Sequence, residues 1–330
     1  STAKGQEAIL RKYGITEEVI KAPIISSVEV TQIGTTNAGL PVLIDKNAYE
    51  ADGIILFNRI KPHTAFRGKI ESGLVKMLAI GLAKPKGAQM THYLRLENMP
   101  KNILDVGKIA IDNLNIVCGV ATVENGYSKL ADIYVMNKEE FMDKEPVILE
   151  RAWDMMSKLY LNEIDVLIVN EIGKEISGAG MDTNIVGRYA TKVMHGGPNT
   201  IRLGLLDLTE YSKGNANGMG YADFTTKRLI NKVDFISSYM NTLTATEPTG
   251  TKVPMVLESD KMVLQACVRC CGQVNNEYIR MVVIRNTKEL EEVYMSKAAI
   301  DAVSKKEMIE VYGDFMTTPF DENGNLLLFK

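Results

Sequence analysis

Two short segments, the continuous apolar run Gly53-Ile-Ile-Leu-Phe57 and the largely apolar Ile164-Asp-Val-Leu-Ile-Val169, constrain this chain more than any other feature. Each is too short to be a self-sufficient buried helix and is rich in β-branched residues. A polar segment with glycines and then a helical pattern follow each of them. A strand without polar alternation is expected where both faces of a parallel sheet are covered by helices. Helical and extended patterns alternate along the rest of the chain, which predicts an α/β fold. The expected architecture is two α/β domains with largely parallel sheets and an active site in the cleft between them. Residues 1–160 would form the first domain and 161–330 the second, a size ordinary for 330 residues.

Strands are expected at residues 28–33, 41–44, 53–57, 115–123, 133–136, 164–169, 200–206 and 278–284. Helices are expected at residues 72–82, 87–98, 101–113, 145–160, 183–193, 223–231 and 260–271. The tail, ending in Leu-Leu-Leu-Phe-Lys330, is expected to pack on the body of the protein, with the first domain as one possible place. Residues 2–11 read as the opening of an amphipathic helix ending at Gly14, so further residues upstream are expected; a trimmed start fits the same feature.

Composition excludes several classes of function. At 45% apolar residues the chain can bury cores without disulfide or metal staples. A net charge of −3 with both signs interspersed leaves no basic stripe for nucleic acid or an anionic membrane. No apolar run approaches the roughly 18 residues of a membrane-spanning helix. The cysteines, Cys118, Cys267, Cys270 and Cys271, form no disulfide framework. Together with the absence of a segment that reads as a secretory signal, they point to the cytoplasm. Cys267-Val-Arg-Cys270 is a single pair on an expected helix and reads as structural.

Ligands of open α/β sheets collect at the carboxyl ends of strands. The segment after Phe57 runs from Lys61-Pro-His63 through Gly68, Gly73-Leu-Val-Lys76 and Ala79-Ile-Gly-Leu-Ala83 to Thr91-His92, and it holds two of the three histidines. Gly68 and Gly73 have the spacing of phosphate-loop glycines, but Leu74 stands where that motif needs lysine. Lys76 lies among Leu74, Val75, Met77, Leu78 and Ile80. Desolvation there would lower its pKa and make it a nucleophile; a snorkelling lysine with its ammonium in water is the other reading. His63, after Pro62 at a strand end, suits a general base or a hydrogen-bonded structural role. A protein-only metal site is poorly supplied with ligands.

These residues resemble the lactate racemase family, the isomerases that use a nickel pincer nucleotide. The likeness rests on Lys-Pro-His63, Gly73-Leu-Val-Lys76, Ala79-Ile-Gly-Leu-Ala83 and Thr91-His92. The run Ser-Gly-Leu-Val before Lys76 is less glycine-rich than is usual in that family, and Leu82-Ala83 stands near a more usual Pro-Gly. A divergent subgroup with its own substrate is therefore expected. The resemblance implies that Lys76, beside Gly73, tethers the cofactor, nickel pyridinium-3,5-bisthiocarboxylic acid mononucleotide, and that His92 is a nickel ligand. It implies that His63 takes the hydroxyl proton of a 2-hydroxy acid while hydride passes to the cofactor. It also implies a second base upstream of Ser1 and a need for cofactor-maturation enzymes; protein made without them would be apo.

In the second domain, Lys174 and Arg188 are candidates for binding a substrate carboxylate or the cofactor phosphate, and both also read as ordinary surface charges. Asp182 and Asn184 are expected to shape that loop or cap the following helix. The alternative to a racemase or epimerase is a nucleotide- or anion-binding module that keeps the fold without the chemistry. A NAD-dependent dehydrogenase is disfavoured because no GxGxxG follows a strand.

Overall fold

A computed structural model describes residues 2–92, 96–191, 194–244 and 246–329. The chain folds as two compact units, Ser1–Asn125 with Lys129–Met155, and Gly126–Ser128 with Met156–Lys330. The protein is a mixed α/β structure built around a six-stranded, largely parallel sheet.

In the first unit, β1 (Val30–Thr35) and β2 (Pro41–Asp45) form an antiparallel hairpin. A separate sheet has the order β3 (Ile54–Arg59), β4 (Ile116–Glu124), β5 (Leu130–Met136). The β3–β4 pair is parallel and the β4–β5 pair antiparallel. Ile54, Leu56 and Ile60 point into a core with Leu74, Leu78, Ile103 and Phe141. The expectation that β3 is buried on both faces is corrected. Ile55 and Phe57 alternate with the core residues and are 65% and 66% exposed. The period of 2 sends them to the uncovered face, although every residue of the run is apolar.

The expected helix over residues 72–82 forms in a divided way. A single α turn, Leu74–Lys76, passes into a π turn, Met77–Gly81, which closes with Leu82 N–H donating to Met77 O at 2.7 Å. The wider turn admits one extra residue just after Lys76, and such bulges recur at functional sites. This segment lies close against its neighbours. A side chain at Gly119 of β4 would overlap Leu74, and one at Gly107 of the helix Met99–Asn113 would overlap Val75. The helix Lys84–His92 follows, and later Phe141–Met155, which starts and ends earlier than its expected 145–160.

The second unit holds the sheet β11-β10-β6-β7-β8-β9. Its strands are β6 (Glu163–Ile172), β7 (Asn199–Leu208), β8 (Phe224–Thr226), β9 (Met255–Leu257), β10 (Met281–Ile284) and β11 (Val293–Met295). Only the β10–β11 pair is antiparallel. Residues 164–169 are buried within β6; Asp165, the one charged residue among them, is held there by Arg280. The expected helix over 183–193 is corrected to Thr183–Val186. It stops because Gly187 takes φ 66°, where the chain turns left-handed. The expected helix over 223–231 divides into β8 and the helix Lys227–Asn231, with the Thr226 hydroxyl accepting from Leu229 N–H at the junction. The tail sits on the second unit's own core: Leu326 is buried there, and Tyr294 donates to Leu328 O at 3.0 Å. Cys267 is buried in the same cluster on the helix Asp260–Cys270, where burial pushes its thiol pKa up.

Candidate active site at the Lys76 turn

The carboxyl end of β3 leads into a loop that folds around one acid. Glu71 is 2% exposed. Its Oε2 accepts from His63 N–H at 2.7 Å and from Arg67 Nη1 at 3.4 Å, and its Oε1 accepts from Gly68 N–H at 3.2 Å. Loss of hydration raises the Glu71 pKa, with the His63 and Gly68 amides and the charges of Arg67 and Lys76 opposing that rise. Arg67 also donates to His63 O at 2.8 Å and lies 4.7 Å from the Trp153 ring. The loop is therefore held from inside by its own charges.

The ring of His63 stacks on Phe66 with centroids 4.2 Å apart. Its Nδ1 accepts the Ala65 N–H at 3.1 Å. That bond assigns the hydrogen of the neutral ring to Nε2. Phe66 is buried, and the Lys76 Nζ lies 4.9 Å from the centroid of its ring. His63 and Lys76 thus both lie against the ring of Phe66.

Burial depresses the Lys76 pKa to about 7; the neighbouring Lys61 charge adds to the fall and Glu71 opposes it. The residue is half-buried. Among the described residues its Nζ makes no hydrogen bond or ion pair. At an ordinary pKa roughly one lysine in three thousand is uncharged at pH 7, whereas here about half would be. An uncharged amine at this place suits a group attached covalently through nitrogen.

The start of the Lys76 turn is built on Gly73. Its φ of 108° is open to glycine alone, and a Cβ there would stand 2.8 Å from Ile60 Cγ1 and 3.0 Å from Glu145 Oε2. Asn58 donates to Gly73 O at 2.8 Å. Glu145 reaches in from the helix Phe141–Met155, and its Oε1 accepts from Leu74 N–H at 2.6 Å and Val75 N–H at 3.1 Å. Burial raises its pKa to about 8 against the two amides.

Sequence reasoning missed Glu71, Glu145, Phe66 and Asn58. Glu145 left a trace, because Phe141, Glu145, Ile148, Leu149 and Ala152 share one buried stripe and an acid occupies a core position of the helical period. His92 ends the helix Lys84–His92, but its side chain lies outside the described residues. Among the described residues no three His, Cys, Asp or Glu side chains form a group that could hold a metal.

Lys174 and Arg188 lie in the second unit, in networks of their own. Lys174 Nζ donates to Gly178 O at 2.9 Å, within its own loop, and burial lowers its pKa. Arg188 Nη2 donates to Asp223 Oδ2 at 2.5 Å and Ile201 O at 2.7 Å. Asp182 caps the short helix by accepting from Asn184 N–H at 2.9 Å.

Residues 4–103 match the family model described as the lactate racemase N-terminal domain. Over that segment the chain is lactate racemase-like. Among solved structures, the lactate racemase apoprotein from Thermoanaerobacterium thermosaccharolyticum shares 18% identity at a TM-score of 0.41, over 60% of this chain and 48% of that one. The present chain thus spans about half the length of that racemase. A protein from Thermotoga maritima shares 13% identity at a TM-score of 0.47, over 79% of this chain and 74% of that one. No curated protein matches. Among the described residues no helix is long and apolar enough to cross a membrane.

Proposed function

We propose that this chain is a nickel-dependent, cytoplasmic racemase or epimerase of a 2-hydroxy acid, with Lys76 as the attachment point of a nickel pincer nucleotide. The observation that carries this reading is the half-buried Lys76 amine, lowered to about 7 and set against Phe66, inside the segment that matches the lactate racemase N-terminal domain. The donor set fits the group in the one respect the described side chains test: it offers a half-buried amine, lowered to about 7, just before a π turn. His92 is the proposed nickel ligand on the sequence pattern. When bound, the group supplies a hydride acceptor beside a metal.

The chain's own residues do the rest. Lys76 holds the cofactor, and Gly73 lets the turn before it pack closely on Ile60 and Glu145. His63 takes the proton of the substrate hydroxyl. Because Nδ1 is engaged by Ala65 N–H, uptake at that nitrogen requires the amide to be released. The His63 N–H bond to Glu71 and the Phe66 stack keep the backbone and ring in register meanwhile. Lys174 and Arg188 serve as carboxylate or phosphate contacts in this proposal only by leaving Gly178 O and Asp223. Cofactor-maturation enzymes are the implied protein partners.

The test is coexpression with the enzymes that make the cofactor, followed by intact-mass measurement, peptide mapping and elemental analysis. The expected result is a mass increase confined to Lys76, one nickel per chain, and interconversion of the two hands of a 2-hydroxy acid. An unmodified Lys76 without nickel would overturn the proposal. Ligand-induced stabilisation without turnover in loaded protein would leave the anion-binding module instead.

A further inference from the structure

Glu145 is 1% exposed, lies 69 positions beyond Lys76 in the sequence, and belongs to a different helix, yet it closes the turn that carries the amine. The first amides of a helix have no partner within it, and burying them unpaired costs about 1–3 kcal/mol each. Glu145 Oε1 satisfies two at once, at Leu74 and Val75. The other oxygen, Oε2, is buried without a hydrogen-bond partner and rests against Gly73. Every hydrogen bond the Glu145 carboxyl makes therefore goes to this turn, at Leu74 and Val75, with Oε2 set against Gly73. The residue that follows directly is Lys76.

We propose that Glu145 is the positioning residue for the Lys76 amine: through Oε1 it locks the turn that keeps Lys76 half-buried against Phe66, and so determines how reactive that amine is. The geometry is cooperative. Asn58 holds the carbonyl of Gly73 while Glu145 holds the two amides after it, so the turn is gripped on both sides of one α-carbon. The charged groups that act on the amine itself are Lys61 and Glu71, from the loop on the other side. Without Glu145 the amides of Leu74 and Val75 would seek water, the turn would loosen, and Lys76 would regain hydration.

This inference rests on reading Lys76 as a reactive amine, and its test needs no cofactor. The rate of acylation of Lys76 by a small amine reagent would be followed against pH by peptide mass spectrometry, in the wild type, Glu145→Gln, Glu145→Asp and Glu145→Ala. Wild type should show a midpoint near 7. Glutamine keeps an acceptor for the two amides and should hold that midpoint. Aspartate is one methylene short and alanine lacks the acceptor. Both should move the midpoint up by a unit or more, which lowers the rate at pH 7 by about fivefold for the first unit and about tenfold for each further unit. Should alanine not fold, the glutamine and aspartate variants decide between themselves. Identical profiles for wild type, glutamine and aspartate would overturn the proposal, as would an unchanged midpoint in a folded alanine variant. Failure of cofactor loading with the expected profiles would count against the proposed function alone.

Discussion

Both units place a glycine-bearing loop with a lysine after a strand, yet the two loops treat their cations in opposite ways. In the second unit Lys174 is depressed by burial, but its ammonium has Gly178 O, and Arg188 has Asp223 and Ile201 O. In the first unit the charges that pair are Glu71 and Arg67, which hold the loop, and Lys76 is left against an aromatic ring. A buried cation with an acceptor keeps its proton and becomes part of the scaffold; one without an acceptor gives its proton up. The contrast is one of partners: Lys174 has a carbonyl acceptor and Lys76 an aromatic face.

The widest break between the loops should come from replacing the two lysines in turn. Lys76→Ala should abolish all covalent loading in coexpressed protein, because no other amine occupies that turn. Lys174→Ala should leave the mass increase intact. Loading that survives in Lys76→Ala, read by intact mass, would dissolve the distinction.

Stability against pH gives the next largest effect. The folded-state pKa of Glu145 is raised to about 8 from 4.5. Its contribution is therefore fully present below the unfolded value and is lost as pH rises through about 8. Lys76 is lowered to about 7 from 10.5, so the cost of burying its charge is present below 7 and is relieved as pH climbs toward 10.5. The two opposed slopes, at most about 1.4 kcal/mol per pH unit each, predict a stability minimum between roughly pH 7 and 8. Urea titrations at half-unit intervals would show it. Glu145→Gln should flatten the acid arm and Lys76→Met the alkaline arm, and an unaltered curve in both would refute the assignment.

The α/β class was legible because extended and helical patterns alternate along the chain, and the strand at 164–169 because four of its six residues are Ile or Val. The same logic failed at Ile55 and Phe57, since an apolar residue reports what a strand can bury and not what covers it. That His63, Gly73 and Lys76 lie in one segment after a strand could be read from the sequence, because loop, turn and amine are close along the chain. Glu145 was legible only as an acid on a buried stripe, because its partners are 70 and 71 residues away and nothing local marks the pairing. The divided helix at Lys76 was hidden for a different reason. A π turn and an α turn use the same residue types, so the local pattern does not separate them.

Within the second loop, the Arg188–Asp223 pair should matter moderately. Both side chains are 26% exposed, so solvent screens part of the interaction. Asp223 would still accept the Leu203 N–H at 2.8 Å after Arg188 is removed. Arg188→Met should cost about 1–3 kcal/mol by denaturant melt, with no change in the Lys76 acylation profile. A shift in that profile would mean that the two loops are coupled and that the contrast between them is incomplete.

The smallest effect is expected at Lys174, and it sharpens the comparison because the same substitution can be made in both loops. Lys174→Met removes one hydrogen bond to Gly178 O, an oxygen that Asn217 Nδ2 also approaches at 3.4 Å. It also removes the cost of burying an ammonium, and methionine fills the space of the stem. The two changes oppose each other, so stability at pH 6 should move by less than about 1 kcal/mol in either direction. Lys76→Met has no hydrogen bond to lose and a larger burial cost to shed, so at pH 6 it should stabilise. Melts of the two variants side by side therefore carry a sign as well as a size. If Lys76→Met destabilised the protein while Lys174→Met did not, the Lys76 ammonium would have to be paired in solution, and the first loop would be as structural as the second.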